Sequence, residues 1–230
     1  MDRVASWIRT TRRRTTRYHR RRPVPAIAVL TVLVVGVGVV WITVLISSAQ
    51  DSATDCNPPT TSDGSSAAAA AGGQVVGPDA LDETAPIPAA GVHLQVLNAT
   101  TQRGEAAIVT TTLQQAGFTQ VAAPANDPLY PKRDLQCRGQ IRFGPDGAAA
   151  ARTLSLVEPC MQLVRDNRQD GGVDLALGDR YTGGPPSPEA TKILGDLASW
   201  AASHPRQVQP KDSPPLNPEL LGAARDTQCD

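Results

Sequence analysis

The sequence predicts an α/β protein: a small two-layer domain, one sheet with helices packed on it, preceded by a single transmembrane helix. Three observations carry this reading. A run without charged side chains, Val24 to Ile46, follows a cluster of arginines. Between residues 91 and 181, stretches with apolar residues at every second position alternate with stretches where they recur every three or four. The intervening residues 47–90 hold few large apolar side chains, too few to offset the entropy of ordering.

The chain balances 22 basic against 22 acidic residues, but unevenly. Residues 1–22 contain nine Arg and one acid, Asp2, a net charge of +8 that leaves −8 in the remainder. The apolar run that follows would be about 34 Å long as a helix, at ~1.5 Å per residue. A bilayer core is ~30 Å thick, so the run suffices to span it. Pro25 falls in the first turn, where a missing N–H does little harm. Trp41 falls near the far end, where an indole suits the interface. Arginines on the near side hold that side in the cytoplasm, which places residues 47–230 outside. The Arg tail is also a candidate for anionic lipid or nucleic acid. Its position beside the span favours a topology determinant, and no nucleic-acid partner is expected. The apolar run exceeds the core of an ordinary signal peptide, which favours an uncleaved anchor. Asp55 before Cys56 does not suit a lipoprotein signal. The expected organisation is therefore a cytoplasmic tail at 1–22, a plasma-membrane span at 23–46, a flexible extracytoplasmic linker at 47–90, a folded domain at 91–181 and a Pro-rich extension at 182–230.

Within the domain, Val92, Leu94 and Val96 alternate with His93 and Gln95, a strand with one buried face. Asn98-Ala99-Thr100-Thr101 breaks it, and either threonine is a candidate helix cap. A helix over 102–116 would place Ile108, Val109, Thr112, Leu113 and Ala116 on one side. Gly117 suits the left-handed position that ends a helix. A second strand is expected at 118–122, then a loop through 123–138. Further strands are expected at 140–143, 161–164 and 173–177, with a helix from Ala148 to Leu156. This order favours one sheet covered on one face by helices. Beyond it, Ser187-Pro188-Glu189 opens a helix with a cap, a proline at the first position and an acid in the first turn. Ile193, Leu197 and Trp200 share its inner face, and Asn217-Pro218-Glu219 opens a last short helix.

Candidate chemistry is sparse. Cys56, Cys137, Cys160 and Cys229 all fall in the extracytoplasmic part, where disulfides persist. Four cysteines allow three pairings. Cys137 with Cys160, both inside the domain, is preferred, and leaves Cys56 with Cys229. No Cys-x-x-Cys occurs, and His19, His93 and His204 form no ligand pattern, so neither a metal nor a cofactor is expected. Ser155 and Ser199 fall in helical stretches without the turn that exposes a nucleophile. Asn98-Ala99-Thr100 has the form of a glycosylation site, but the start of a helix explains it better. That same corner is the candidate ligand site: Asn98 and Thr100 at a helix N-terminus, with Arg103 beside them, offer contacts to an anion or a sugar.

The run Val96-Leu97-Asn98-Ala99-Thr100, then Gly104, Ala106-Ala107, Leu113 and Ala116-Gly117-Phe118, resembles the LytR C-terminal domain family. Ile141-Arg142-Phe143-Gly144-Pro145-Asp146 and Leu175-Ala176-Leu177-Gly178 resemble its second half. The likeness covers 91–181. The wider layout of Arg-rich tail, span, stalk and lone domain resembles membrane-anchored envelope proteins of mycobacteria and other actinobacteria. That resemblance implies a role in cell envelope integrity without a known reaction. The expected partners are the plasma membrane and either a cell-wall glycopolymer or an envelope-assembly enzyme. In glycopolymer transferases of this wider group, a separate phosphotransferase domain precedes the shared one. This chain has no room for it, so a non-enzymatic role is expected, with an accessory part in glycopolymer attachment as the alternative.

Overall fold

The structure is a computed structural model and describes residues 29–30, 33–38, 41, 55–59, 72–205, 214–225 and 229. The chain divides into two units, 1–45 and 46–230. In the first, the described residues are helical, with Val34 and Trp41 among the exposed side chains. No helix among the described residues is long and apolar enough to cross a membrane. The greater part of the expected span, and the whole Arg tail, lie outside the described residues.

The second unit contains β1 (Gln74–Val76), β2 (His93–Asn98), α1 (Glu105–Gln115), β3 (Gln120–Val121), β4 (Ala125–Asn126), β5 (Gly139–Phe143), α2 (Ala148–Val157), β6 (Gln162–Arg165), β7 (Val173–Leu177), α3 (Pro188–Ser203) and α4 (Pro218–Arg225). All seven strands join one mixed sheet in the order β1-β6-β5-β7-β2-β3, with β4 also pairing β2. Two strand–helix–strand units build it. β2 and β3 are parallel neighbours joined through α1, and β5 and β6 are parallel neighbours joined through α2. β5 and β7 run antiparallel and join the two halves.

The helices cover one face. Leu94 and Val96 of β2, Ile141 and Phe143 of β5, and Leu175 and Leu177 of β7 project onto Val109 and Leu113 of α1 and Leu154 of α2. Each strand contributes alternate residues, as its period of two requires. The inward stripe of α1 is Ala106, Val109, Thr110 and Leu113. Ile108, expected on that face, is 69% exposed. The helix begins three residues later than expected, after Gly104 in the left-handed conformation at φ 85°, and neither Thr100 nor Thr101 caps it. Gly117 closes it at φ 100°, as its position predicts. The outer helix α3 opens as read: Ser187 Oγ accepts from Ala190 N at 3.0 Å. Its Ile193 and Leu197 pack on Leu156 of α2 and Ala224 of α4, while Trp200 is half-buried and stacks on His204.

The opposite face is covered by loop 127–138 with Cys56 and Asn57, and among the described residues no helix packs there. At its centre Arg142 of β5 donates to both Asp127 oxygens, at 3.0 and 2.7 Å. The two side chains are 3% and 0% exposed. Gln140 Oε1 accepts from Arg142 Nε at 3.0 Å, and Gln140 Nε2 donates to Gln162 at 2.8 Å. The Arg142 guanidinium also lies over the Tyr130 ring, 5.7 Å from its centroid. Tyr130 in turn donates to the Asn57 carbonyl at 2.5 Å, and the Asn57 side chain bonds Asp134 O and Gln136 N. Burial pushes the Tyr130 hydroxyl up to about 12, against the lowering influence of Arg142.

Two expectations need correction. The linker does not extend to residue 90: β1 pairs antiparallel with β6, Leu81 is buried, and Ile87 N donates to Thr153 Oγ1 at 2.9 Å. β1 is three residues long, too short for a recognisable period, and is held by the sheet edge it joins. The disulfides are Cys56–Cys137 and Cys160–Cys229, not Cys137–Cys160 and Cys56–Cys229. Between Cys137 and Cys160 the chain runs through β5 and then α2. Cys137 therefore stays in the cluster behind the sheet with Leu97 and Tyr130, while Cys160 emerges where α2 hands over to β6.

Peptide mapping without reduction is expected to recover those two pairs. The bridges span 81 and 69 residues of sequence. Removing Cys56–Cys137 by paired Ala substitution should cost about 2–5 kcal/mol in denaturant unfolding. Asp127→Ala leaves a buried guanidinium without its counter-charge and should cost about 3–5 kcal/mol. The double change Asp127→Leu, Arg142→Met should cost less than that single one in the same assay.

Candidate functional site

The residues singled out at the end of β2 do not form one site. Asn98 and Thr100 are 5% and 0% exposed. Asn98 Oδ1 accepts from Thr100 N at 2.9 Å and its Nδ2 donates to Gln102 O at 2.7 Å. Thr100 Oγ1 donates to Glu105 Oε2 at 2.8 Å and accepts from Gln102 N at 3.0 Å. These side chains shape the turn into α1 from within. Arg103 alone is exposed, and it borders a cavity.

That cavity is part of a longer cleft between α1 and α3, which sequence reading missed. Its largest section, about 590 Å³, lies between Thr112, Gln115 and Ala116 on the α1 side and Leu194, Gly195 and Ala198 of α3. A second section, about 530 Å³, continues past Thr112 and Gln115 to Glu105 and Arg103, with Tyr181 and Pro185 on its other side. A third, about 200 Å³, lies beyond Tyr181 and is bordered by Arg138, Glu158, Thr182 and Ser187. The segment Tyr181–Pro186 links the three. Its Gly183-Gly184-Pro185-Pro186 composition was legible as a break after the domain. That this break would lie along a cleft depended on where α3 folds back.

The cleft has small walls. Gly195 sits in the middle of α3, where a Cβ would meet nothing within 4 Å. Glycine there costs about 1 kcal/mol relative to alanine, so packing does not account for it. The polar end is organised around Glu158. Tyr181 Oη donates to Glu158 Oε1 at 3.0 Å, and Arg138 donates to Thr182 in the same section. Burial pushes the Glu158 carboxyl up to about 7, opposed by the Tyr181 hydrogen bond and the Arg138 charge. Burial also raises the Tyr181 hydroxyl, with Glu158 adding to the effect. Among the described residues no group of three or more His, Cys, Asp or Glu is placed to hold a metal ion.

Residues 91–181 match the LytR C-terminal domain, described as LytR cell envelope-related transcriptional attenuator. The chain is also 38% identical over 214 residues to the cell envelope integrity protein Cei of Mycobacterium tuberculosis, covering 92% of each. The chain belongs to this LytR C-terminal domain family. A solved structure from Mycobacterium marinum, the soluble domain of a conserved hypothetical secreted protein, is 34% identical with a TM-score of 0.57. It covers 67% of this chain and 96% of its own. The family domain begins before β2 and ends at Tyr181. It therefore supplies the α1 bank of the cleft and Tyr181, while α3, β1 and the partner cysteines Cys56 and Cys229 lie outside it.

Glu158 makes the stability of the domain depend on pH. Its folded-state pKa lies above the ordinary 4.5, so its contribution to stability is complete below about pH 4.5 and is lost as pH rises through about 7. Glu158→Gln should remove that dependence. Between pH 5 and 8 the wild type should lose on the order of 1–3 kcal/mol more than the variant in urea unfolding.

Proposed function

We propose that this protein is a non-enzymatic cell envelope integrity factor. It is anchored in the plasma membrane through residues 23–46, with residues 1–22 in the cytoplasm and the folded domain outside. It acts by binding a cell-wall polymer or an envelope-assembly enzyme. The observation that carries this reading is the 38% identity to the mycobacterial envelope integrity protein, which runs along 92% of both chains and so is not confined to the shared domain. The secreted character named for the Mycobacterium marinum relative supports an extracytoplasmic domain. The two disulfides, which bring residues from both flanks onto the domain, suit an oxidising compartment. A binding role also suits the cleft, which is open and walled in part by small residues such as Gly195 and Ala198.

The test is retention of the oxidised full chain, in detergent, on insoluble cell wall and on solubilised membrane proteins. Retention on the wall, lost when the glycan is digested, is the expected result for polymer binding. Retention only by membrane proteins would assign the adaptor role. Turnover of a lipid-linked glycan by the purified chain would overturn the non-enzymatic reading.

A further inference from the structure

We propose that the cleft between α1 and α3 binds a linear glycan strand of largely uncharged, hydroxyl- or acetamido-bearing sugars. This rests on the wall-polymer form of the proposed function and assigns it a site. Shape is the first argument. The two larger sections share Thr112 and Gln115, the two polar ones share Tyr181 and Gly184, and all three share Pro185. Sections that run into one another and open to solvent along their length fit an elongated ligand better than a compact one.

Lining chemistry is the second argument. Gln102, Thr112, Gln115 and Thr191 present neutral hydrogen-bonding groups. Ala198, Pro185 and other small apolar surfaces line the same space. A sugar chain carries both kinds of surface, with hydroxyl edges for amides and hydroxyls and C–H faces for small apolar walls and for the amphipathic Tyr181. An acyl chain would strip water from the Thr and Gln groups without replacing its hydrogen bonds. A helical peptide needs deep pockets for large anchors. The α3 wall offers Gly195 and Ala198 instead, beside a Leu194 that is already 7% exposed. A polyanion would meet Arg103 offset by Glu105 in the same section. A side chain at Gly195 would narrow the largest section, and glycine keeps it wide at a cost to the helix.

Chitotetraose, a tetramer of N-acetylglucosamine, serves as the ligand in the test. Its binding to the oxidised full chain in lipid nanodiscs is measured by saturation-transfer NMR and calorimetry. Wild type should bind it. Gly195→Trp, whose indole has room to enter the cleft, should weaken binding by about tenfold or more. Gln115→Ala, at an exposed position that folding does not depend on, should weaken it by about three- to tenfold. Binding undiminished in both variants would overturn the proposal, as would displacement of the tetramer by dodecanoate. Absence of wild-type binding to chitotetraose, with wall retention intact, would remove the cleft as the glycan site and leave the broader reading standing. Loss of wall retention itself would remove both.

Discussion

The bidentate contact between Arg142 and Asp127 is the constraint around which the back of this domain is arranged. A buried guanidinium on a central strand, on the side of the sheet where no described helix packs, cannot be left there without a counter-charge. Asp127 supplies it from the start of the loop, and Gln140 Oε1 accepts from Nε and Nη2 of the same guanidinium. Holding Asp127 holds the loop to 138 over the sheet. That places Tyr130 on Arg142 and Cys137 within reach of Cys56. A segment from the N-terminal flank is thereby bonded to the domain through Asn57 and a disulfide. The polar cluster contributes little surface of its own. Its effect is to fix one arrangement of the loop and its partners.

On the other face the sheet is closed by ordinary helix packing, and the consequences lie one layer further out. α1 and α2 cover most of the core and α3 adds Leu194 to its edge; α3 otherwise packs against α2 through Ile193 and Leu197, which leaves the cleft between it and α1. The cleft is the space left between a helix that belongs to the family domain and one that does not. Along it runs the Gly- and Pro-rich segment that leads from β7 into α3, tied down where Tyr181 meets Glu158. The second disulfide brings the end of the chain to Cys160, at the junction of α2 and β6. Both bridges thus bind the flanks to the domain, and neither crosses within it.

Much of the α/β framework was legible because its signals are local. The alternation through β2 and β7 follows from burying one side of a strand, and the Ser187-Pro188-Glu189 start of α3 follows from unpaired N–H groups at a helix end. The family likeness over 91–181 was legible for a similar reason, since its residues mark turns and helix ends. Ile108 shows the limit: it satisfies the helical spacing, yet the face that meets the sheet is that of Ala106, Val109, Thr110 and Leu113, which leaves Ile108 in solvent. Asn98 and Thr100 were read as ligand contacts because a sequence shows polar type and not burial. Both prove to be spent on the turn that precedes α1.

The sequence by itself determined the domain's element types, the charge-free run behind the arginines and the family, because periodicity, composition and turn chemistry act between near neighbours. Only the tertiary structure decided which cysteines meet, that residues 74–91 join the domain, that Arg142 finds Asp127 and that α3 stands apart from α1 to leave a cleft. Each of these pairs groups distant along the chain, and spacing carries no information about which of them the folded sheet brings together.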